Sequence, residues 1–302
     1  MNKVITWRGP RYKSWIKNSL LLVGVIFGGV NTGEPVISNS AILIEVAFGI
    51  LLFCLTSTIG YAVNDLLDQE RDLKNPIHKS KRYPIFSSLY FFLLLGLVIF
   101  IGLENQFIRK EMLFILSVYF LMTCCYSKFL KNIPIVEIIA LSLHFLLRIL
   151  AGTWAVGISI SEWLVVAGFM MALLLSFGKR CAEFRLAKGN FQFRPVLSSY
   201  KLEYLIGISR SLALMNLLMY CLYSLNNPER GLFFLVVTLP FVAFGLFRYL
   251  LLLEREDMVK TPEEMLLGDK SSITNLLLWL LIIVLMQGYP SLQLLNMVVY
   301  LL

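Results

Sequence analysis

Apolar stretches follow one another along this chain, and short charged segments separate them. About nine are long enough to cross a bilayer, for which roughly 20 apolar residues suffice. They lie near residues 19–36, 41–63, 86–103, 111–127, 133–152, 161–178, 203–224, 231–252 and 273–290. Their length favours helices, because a spanning helix satisfies its own backbone in lipid. The pattern predicts an all-α polytopic membrane protein of about nine transmembrane helices. No soluble domain, low-complexity tract or flexible linker interrupts the series, so residues 1–302 read as a single transmembrane domain.

Composition supports this reading. Of the 302 residues 58% are hydrophobic and only 15% charged, whereas a soluble protein carries about 25% charged residues. Residues 1–17 are polar and basic, with no small-residue cleavage site after a short apolar core, so the first span is expected to remain as an anchor. The five cysteines show no metal-ligand spacing and read as small buried side chains.

Charge sets the orientation. Of 27 Lys and Arg residues, 22 fall at the N-terminus or in segments 64–84, 127–132, 178–201 and 248–270. All of these lie on one side of the membrane. The positive-inside rule makes that side cytoplasmic, and the expected location is the inner (plasma) membrane. The net charge of +8 suits anionic lipid and anionic substrates alike. Nucleic acid is excluded as a partner, since the basic residues abut membrane spans and no nucleic-acid module is visible.

Chemistry concentrates where the second span ends, at Asn64-Asp65-Leu66-Leu67-Asp68-Gln69-Glu70-Arg71-Asp72. Asp65, Asp68 and Asp72 recur three and four residues apart, so on a helix they share one face with Asn64 beside them. Hard oxygen ligands of this kind suit Mg²⁺, which keeps several waters and bridges to substrate phosphates. Lys74, Lys79, Lys81 and Arg82 follow, four cations suited to phosphate oxygens. Four spans later a second charged segment, Gly178-Lys179-Arg180-Cys181-Ala182-Glu183, ends the sixth span on the same side and hints at duplication. Its spacing equally fits a local salt bridge from Lys179 or Arg180 to Glu183. His144 and Arg148 share a face of the fifth span, where a structural partner and a substrate contact both fit. Trp15 with its basic neighbours fits an interfacial anchor before the first span.

The Asn-Asp-x-x-Asp-x-x-x-Asp pattern resembles the first aspartate-rich motif of the UbiA superfamily of intramembrane prenyltransferases. That resemblance implies helices around a central cavity open to the cytoplasmic side. Most members carry a second aspartate motif after the sixth span and bind a prenyl diphosphate through Mg²⁺; here that position reads Gly178-Lys179-Arg180-x-x-Glu183. Within the superfamily the chain looks like the branch of decaprenyl-phosphate phosphoribosyltransferases over nearly its whole length. The supporting pieces are Trp15-Ile16-Lys17-Asn18, Tyr61-Ala62-Val63-Asn64-Asp65, Val136-Glu137-Ile138, Leu147-Arg148-Ile149-Leu150-Ala151-Gly152 and Gly178-Lys179-Arg180-x-Ala182-Glu183. Ser198-x-Tyr200, Phe247-Arg248-Tyr249 and Pro262-Glu263-Glu264 extend them. The basic loop departs from the branch, reading Asn75-Pro76-Ile77-His78-Lys79-Ser80-Lys81-Arg82, with inserted residues where His-Pro-x-Lys is usual.

The resemblance implies transfer of 5-phosphoribose from phosphoribosyl diphosphate to a polyprenyl phosphate, with Mg²⁺ as cofactor. It implies Asp65, Asp68 and Asp72 as metal ligands and catalytic residues. Lys17, Asn64, Lys79, Lys81, Arg82, Tyr126, Arg148, Lys179, Arg180 and Glu183 are implied to bind substrate. Two other readings stay open. One is prenyl transfer to an aromatic or lipid-quinone precursor; the other is an ion-coupled transporter, which would carry its charges near midplane.

Overall fold

The computed structural model describes residues 12–28, 40–68, 85–157, 162–225, 231–255 and 260–288, and among them all regular structure is helical. A 3₁₀ segment, Tyr12–Ser19, leads into α1 (Leu20–Gly28). Then come α2 (Ser40–Leu67), α3 (Ile85–Glu104), α4 (Lys110–Lys128) and α5 (Val136–Ala155). They are followed by α6 (Glu162–Ala187), α7 (Leu202–Leu225) and α8 (Gly231–Glu254). The short α9 (Pro262–Gly268) and α10 (Lys270–Gly288) complete the order.

Each apolar stretch read from the sequence overlaps one of these helices. Among the described residues six helices, α2 and α4 to α8, are long and apolar enough to span a bilayer by themselves. A seventh arises if α9 and α10, bent by 86° at Asp269, count as one span. The apolar helices at 15–25 and 90–104 are shorter over the residues described.

Packing divides the chain into two compact units, Met1–Gly168 with Asn190–Ser199, and Phe169–Gly189 with Tyr200–Leu302. In the first, α2 is the hub, touching the 3₁₀ segment, α1, α3, α4 and α5. Leu52, Phe53 and Leu55 on α2 meet Met112, Ile115 and Tyr119 on α4 in its core. Helices α1 and α5 cross at glycines. A Cβ on Gly24 would fall on the Ile149 carbonyl, and one on Gly152 on the Leu21 carbonyl. Lipid offers helices no hydrophobic drive to associate, so this close backbone approach supplies dispersion contact instead.

In the second unit α7 packs on α8, and α8 and α9 pack on α10. The sharp bend before α10 is held by Asp269, whose carboxylate accepts from Arg248 Nε at 3.0 Å and Nη2 at 2.7 Å. The same carboxylate caps α10, accepting from the Ser272 backbone N–H at 2.9 Å and its hydroxyl at 2.8 Å. A capping box between Thr261 and Glu264 starts α9. All five cysteines are free. Cys54 and Cys181 are buried as expected, but Cys125 is exposed on α4, where an apolar thiol is as compatible with lipid as with a core.

The glycine crossing gives a stability prediction. Gly152→Val should destabilise the protein by about 1–3 kcal/mol or more, the usual cost of overpacking. Gly96→Ala, at a position with nothing within 4 Å of the new Cβ, should be neutral or slightly stabilising. Thermal unfolding of the two variants in detergent checks the contrast.

Candidate active site

With 28 residues, α2 is about 42 Å long at 1.5 Å per residue. A hydrocarbon core is about 30 Å thick. The excess carries Asn64, Asp65 and Asp68 out of the apolar run to the membrane face. The Asp68 N–H closes the last turn on the Asn64 carbonyl at 2.9 Å. Asp65, one turn earlier, is only 4% exposed. Asp68 pairs with Lys131, itself buried, from the 3₁₀ turn Leu130–Asn132 that follows α4.

That turn is tight. Ile135, the residue that caps α5, has a φ of +67°, a left-handed conformation that a β-branched side chain adopts only under constraint. Lys131 and Glu137 flank this connection, and both enter the first unit's interior. Glu137 has no exposed surface and sits in the first turn of α5, where the helix dipole favours a carboxylate. Arg194, from the loop between α6 and α7, donates to Glu137 at 3.0 Å and to the Tyr126 hydroxyl at 2.7 Å. One guanidinium thereby ties that loop to both α4 and α5.

Deeper in the unit, Arg148 on α5 is 3% exposed. Its Nε donates to Asn18 Oδ1 at 2.9 Å and its Nη1 to the His144 carbonyl at 2.9 Å. Its Nη2 donates to the Tyr119 hydroxyl at 2.5 Å, and the guanidinium lies 4.8 Å from that ring's centroid. Asn18 in turn donates to Cys54 Sγ at 3.2 Å and Ser57 Oγ at 3.4 Å on α2. Trp15 Nε1 donates to Thr58 at 3.0 Å. The segment before α1 is thus fastened to α2 and α5 by hydrogen bonds. Lys17 lies 5.8 Å from the centroid of the Phe145 ring.

The second unit holds the other charged helix end. Arg180 on α6, with no exposed surface, pairs with Glu183 one turn on, which is the local salt bridge the spacing allowed. Gly178 is where the Tyr249 hydroxyl of α8 packs, in space that a Cβ would claim. Arg185 donates to the Leu253 carbonyl and so covers the end of α8.

Of the sequence candidates, Asp72, Lys79, Lys81 and Arg82 lie outside the described residues, as does Lys74. Asn64 and Asp65 lie on the last turn of α2 with Asp68 directly after it, and Tyr126 joins the Arg194 and Glu137 network. Arg148 takes the structural partner that its burial allowed. Lys179, Arg180 and Glu183 are gathered on α6. Sequence reasoning missed two cations, Lys131 and Arg194. The available signal was Glu137, a carboxylate inside an apolar stretch that requires a cation from elsewhere.

Among the described residues no group of three or more His, Cys, Asp or Glu side chains gathers as a metal site. The donor chemistry nevertheless fits Mg²⁺. Asp65 and Asp68 are hard oxygen donors on one helix face, and Mg²⁺ is commonly held by one or two carboxylates together with substrate phosphates.

The sequence profile of the UbiA prenyltransferase family matches residues 21–268. The chain belongs to this family. It is therefore a transferase enzyme, and its apolar helices make it an integral membrane protein. Decaprenyl-phosphate phosphoribosyltransferase of Corynebacterium glutamicum is 28% identical over 289 residues, covering 91% of this chain and 84% of the relative. The Mycobacterium tuberculosis protein of the same name is 27% identical over 281 residues, covering 89% and 90%. A UbiA homologue from Archaeoglobus fulgidus, solved with DMAPP and Mg²⁺, shares the fold with a TM-score of 0.63 at 15% identity, covering 94% of this chain and 96% of that one.

The Glu137 network yields a prediction. Removing either partner of a buried pair strands the other charge, at about 3–5 kcal/mol when burial is complete. Arg194 retains 21% side-chain exposure, so Glu137→Leu, which strands it, should cost less, about 2 kcal/mol, and Arg194→Met, which strands the fully buried Glu137, more. The Arg194→Met/Glu137→Leu double variant should recover part of the loss, which a double-mutant cycle of denaturation midpoints would reveal.

Proposed function

We propose that this enzyme transfers 5-phosphoribose from phosphoribosyl diphosphate to a polyprenyl phosphate and releases diphosphate. The observation that carries the reading is the end of α6. Prenyl-transferring members of the superfamily have a second aspartate motif there, and this chain instead has Lys179, the buried Arg180 and Glu183. The relatives named phosphoribosyltransferases, matched over about nine-tenths of the chain, support the same reading.

In the proposed reaction the bond from ribose C1 to the diphosphate oxygen breaks, and a bond from C1 to an acceptor phosphate oxygen forms. When bound, Mg²⁺ supplies positive charge against the diphosphate as it leaves. Asp65, Asp68 and Asp72 are assigned to hold it. Lys131, which pairs with Asp68, would have to release that carboxylate for it to hold a metal. Lys79, Lys81, Arg82, Lys179 and Arg180 are assigned to phosphate oxygens, where fixed charge away from water is worth most. The acceptor phosphate is already anionic, so no general base is required and His144 has no proton to take. Its ring stays with Thr123 at 3.2 Å and with the Ala140 carbonyl at 2.7 Å. Asn64 and Glu183 are assigned to the ribose, and Lys17 and Tyr126 to substrate. Arg148 is assigned to substrate binding through Asn18, whose backbone neighbour is Lys17. The reading includes nine spans in the inner membrane, with the charged helix ends facing the cytoplasm.

Purified protein in detergent, given Mg²⁺, radiolabelled phosphoribosyl diphosphate and polyprenyl phosphate, should pass label into an organic-extractable, acid-labile lipid. EDTA should stop the transfer. Asp68→Ala should lower the rate by at least about 100-fold, as loss of a group stabilising developing charge commonly does, while the protein still inserts and elutes as a folded species. Prenyl diphosphate consumed by an aromatic acceptor, with no labelled lipid, would overturn the reading.

A further inference from the structure

Helix α6 changes character at Gly178. The run before it is mostly apolar, and Lys179, Arg180 and Glu183 follow within two turns. At about 100° per residue, Gly178, Cys181 and Arg185 share one face, while Lys179, Glu183 and Arg180 lie on the opposite one. The first face meets α8. The Tyr249 hydroxyl occupies the place that a Cβ on Gly178 would take, with its ring Cζ 3.0 Å and Leu253 Cδ1 3.5 Å from that position. Two turns further on, Arg185 donates to the Leu253 carbonyl. Cys181, between them, has no exposed surface.

The hydroxyl is the odd part of this contact. Tyr249 is 3% exposed, and its oxygen has no hydrogen-bond partner among the described residues. A buried phenol usually finds a partner, and leaving one unpaired costs stability. Phenylalanine would fill the same interior without that cost. What phenylalanine lacks is reach, because only the oxygen enters the notch left by the missing Gly178 side chain. A rigid ring seated there opposes rotation of α6 about its own axis. Arg185 holds the same face two turns on, so the charged segment is tied to α8 at both ends.

We propose that Tyr249 is a positioning residue: its hydroxyl, seated in the Gly178 notch, sets the rotation of the end of α6 and so the direction of Lys179 and of the Arg180–Glu183 pair. The proposal rests on the assignment of these cations to substrate phosphate in the proposed reaction. Side chains reach about 5–6 Å from a helix axis, so a turn of about 10° moves their ends by about 1 Å. A misplacement of that size costs about 100-fold in rate where groups must be aligned. Tyr249 acts through α6 and touches no substrate.

Exchanging the two halves of the contact tests this. Gly178→Ala puts a methyl where the hydroxyl sits, and should raise the KM for phosphoribosyl diphosphate by at least about 10-fold. Tyr249→Phe empties the notch; its unfolding midpoint should hold or rise, while KM rises about 3-fold. In Gly178→Ala/Tyr249→Phe the methyl takes the oxygen's place, and KM should return to within about 3-fold of wild type. Thr238→Val is the control for general loosening of the unit. It removes the acceptor of the Tyr220 hydroxyl, 2.7 Å away between α7 and α8, and should lower the unfolding midpoint with KM unchanged. Unchanged KM in both Gly178→Ala and Tyr249→Phe would overturn the proposal. So would a double variant no better than Gly178→Ala, or an equal rise of KM in Thr238→Val. If Gly178→Ala yields no folded protein, the comparison of Tyr249→Phe with Thr238→Val decides. Phosphoribosyl transfer by the wild type tests the underlying reaction separately. Without it the proposal falls too, whereas transfer with KM unmoved by the exchange overturns the positioning role alone.

Discussion

A carboxylate with no exposed surface cannot remain charged in an apolar bundle unless the protein brings a cation to it, and Glu137 imposes that demand on the first unit. Arg194 meets it from a loop 57 residues further along the chain. To do so, the loop after α6 returns to the start of α5, where residues 190–199 pack with the first unit. Tyr126 shares the same guanidinium and fixes where on α4 the loop sits. One buried charge therefore sets the position of the loop, and with it the neighbourhood of Lys131 and Asp68.

Arg148 solves the converse problem without an anion. Its partners are an amide oxygen, a backbone carbonyl and a phenol, with ring faces of Tyr119 and Phe145 alongside. Neutral acceptors satisfy the hydrogen bonds and leave the formal charge in place. A guanidinium tolerates this arrangement better than an ammonium would, because it stays protonated and is weakly hydrated. The buried guanidinium is thus held by hydrogen bonds and aromatic faces. The same residue fastens Asn18 between α2 and α5.

The parts legible in the sequence were those governed by local period. Apolar length fixed the helices, and the spacing of Asp65 and Asp68 put them on one face of α2. The interval between Arg180 and Glu183 foretold their pairing. What could not be read were partners supplied by distant segments. Asn18 reaches Arg148 across 130 positions, and Lys131 reaches Asp68 across 63. Neither has a periodic signature, because a turn's position depends on how its helices pack.

A shared fold at 15% identity carries no information about which bond is broken, since function belongs to the site rather than to the scaffold. The chemistry has to be sought at the helix ends, and the two described here differ in kind. The α2 end offers carboxylates, whose positive counter-charge is borrowed from Lys131 or from a metal. The α6 end offers the Lys179 ammonium and the Arg180 guanidinium, the latter paired with Glu183. In the proposed reaction the cations at α6 would face phosphate oxygens, and metal would serve the departing diphosphate. The proposed reaction joins two phosphate-bearing substrates, whereas prenyl transfer to an aromatic ring brings only one. Cations at α6 suit the heavier anionic load of that proposed reaction.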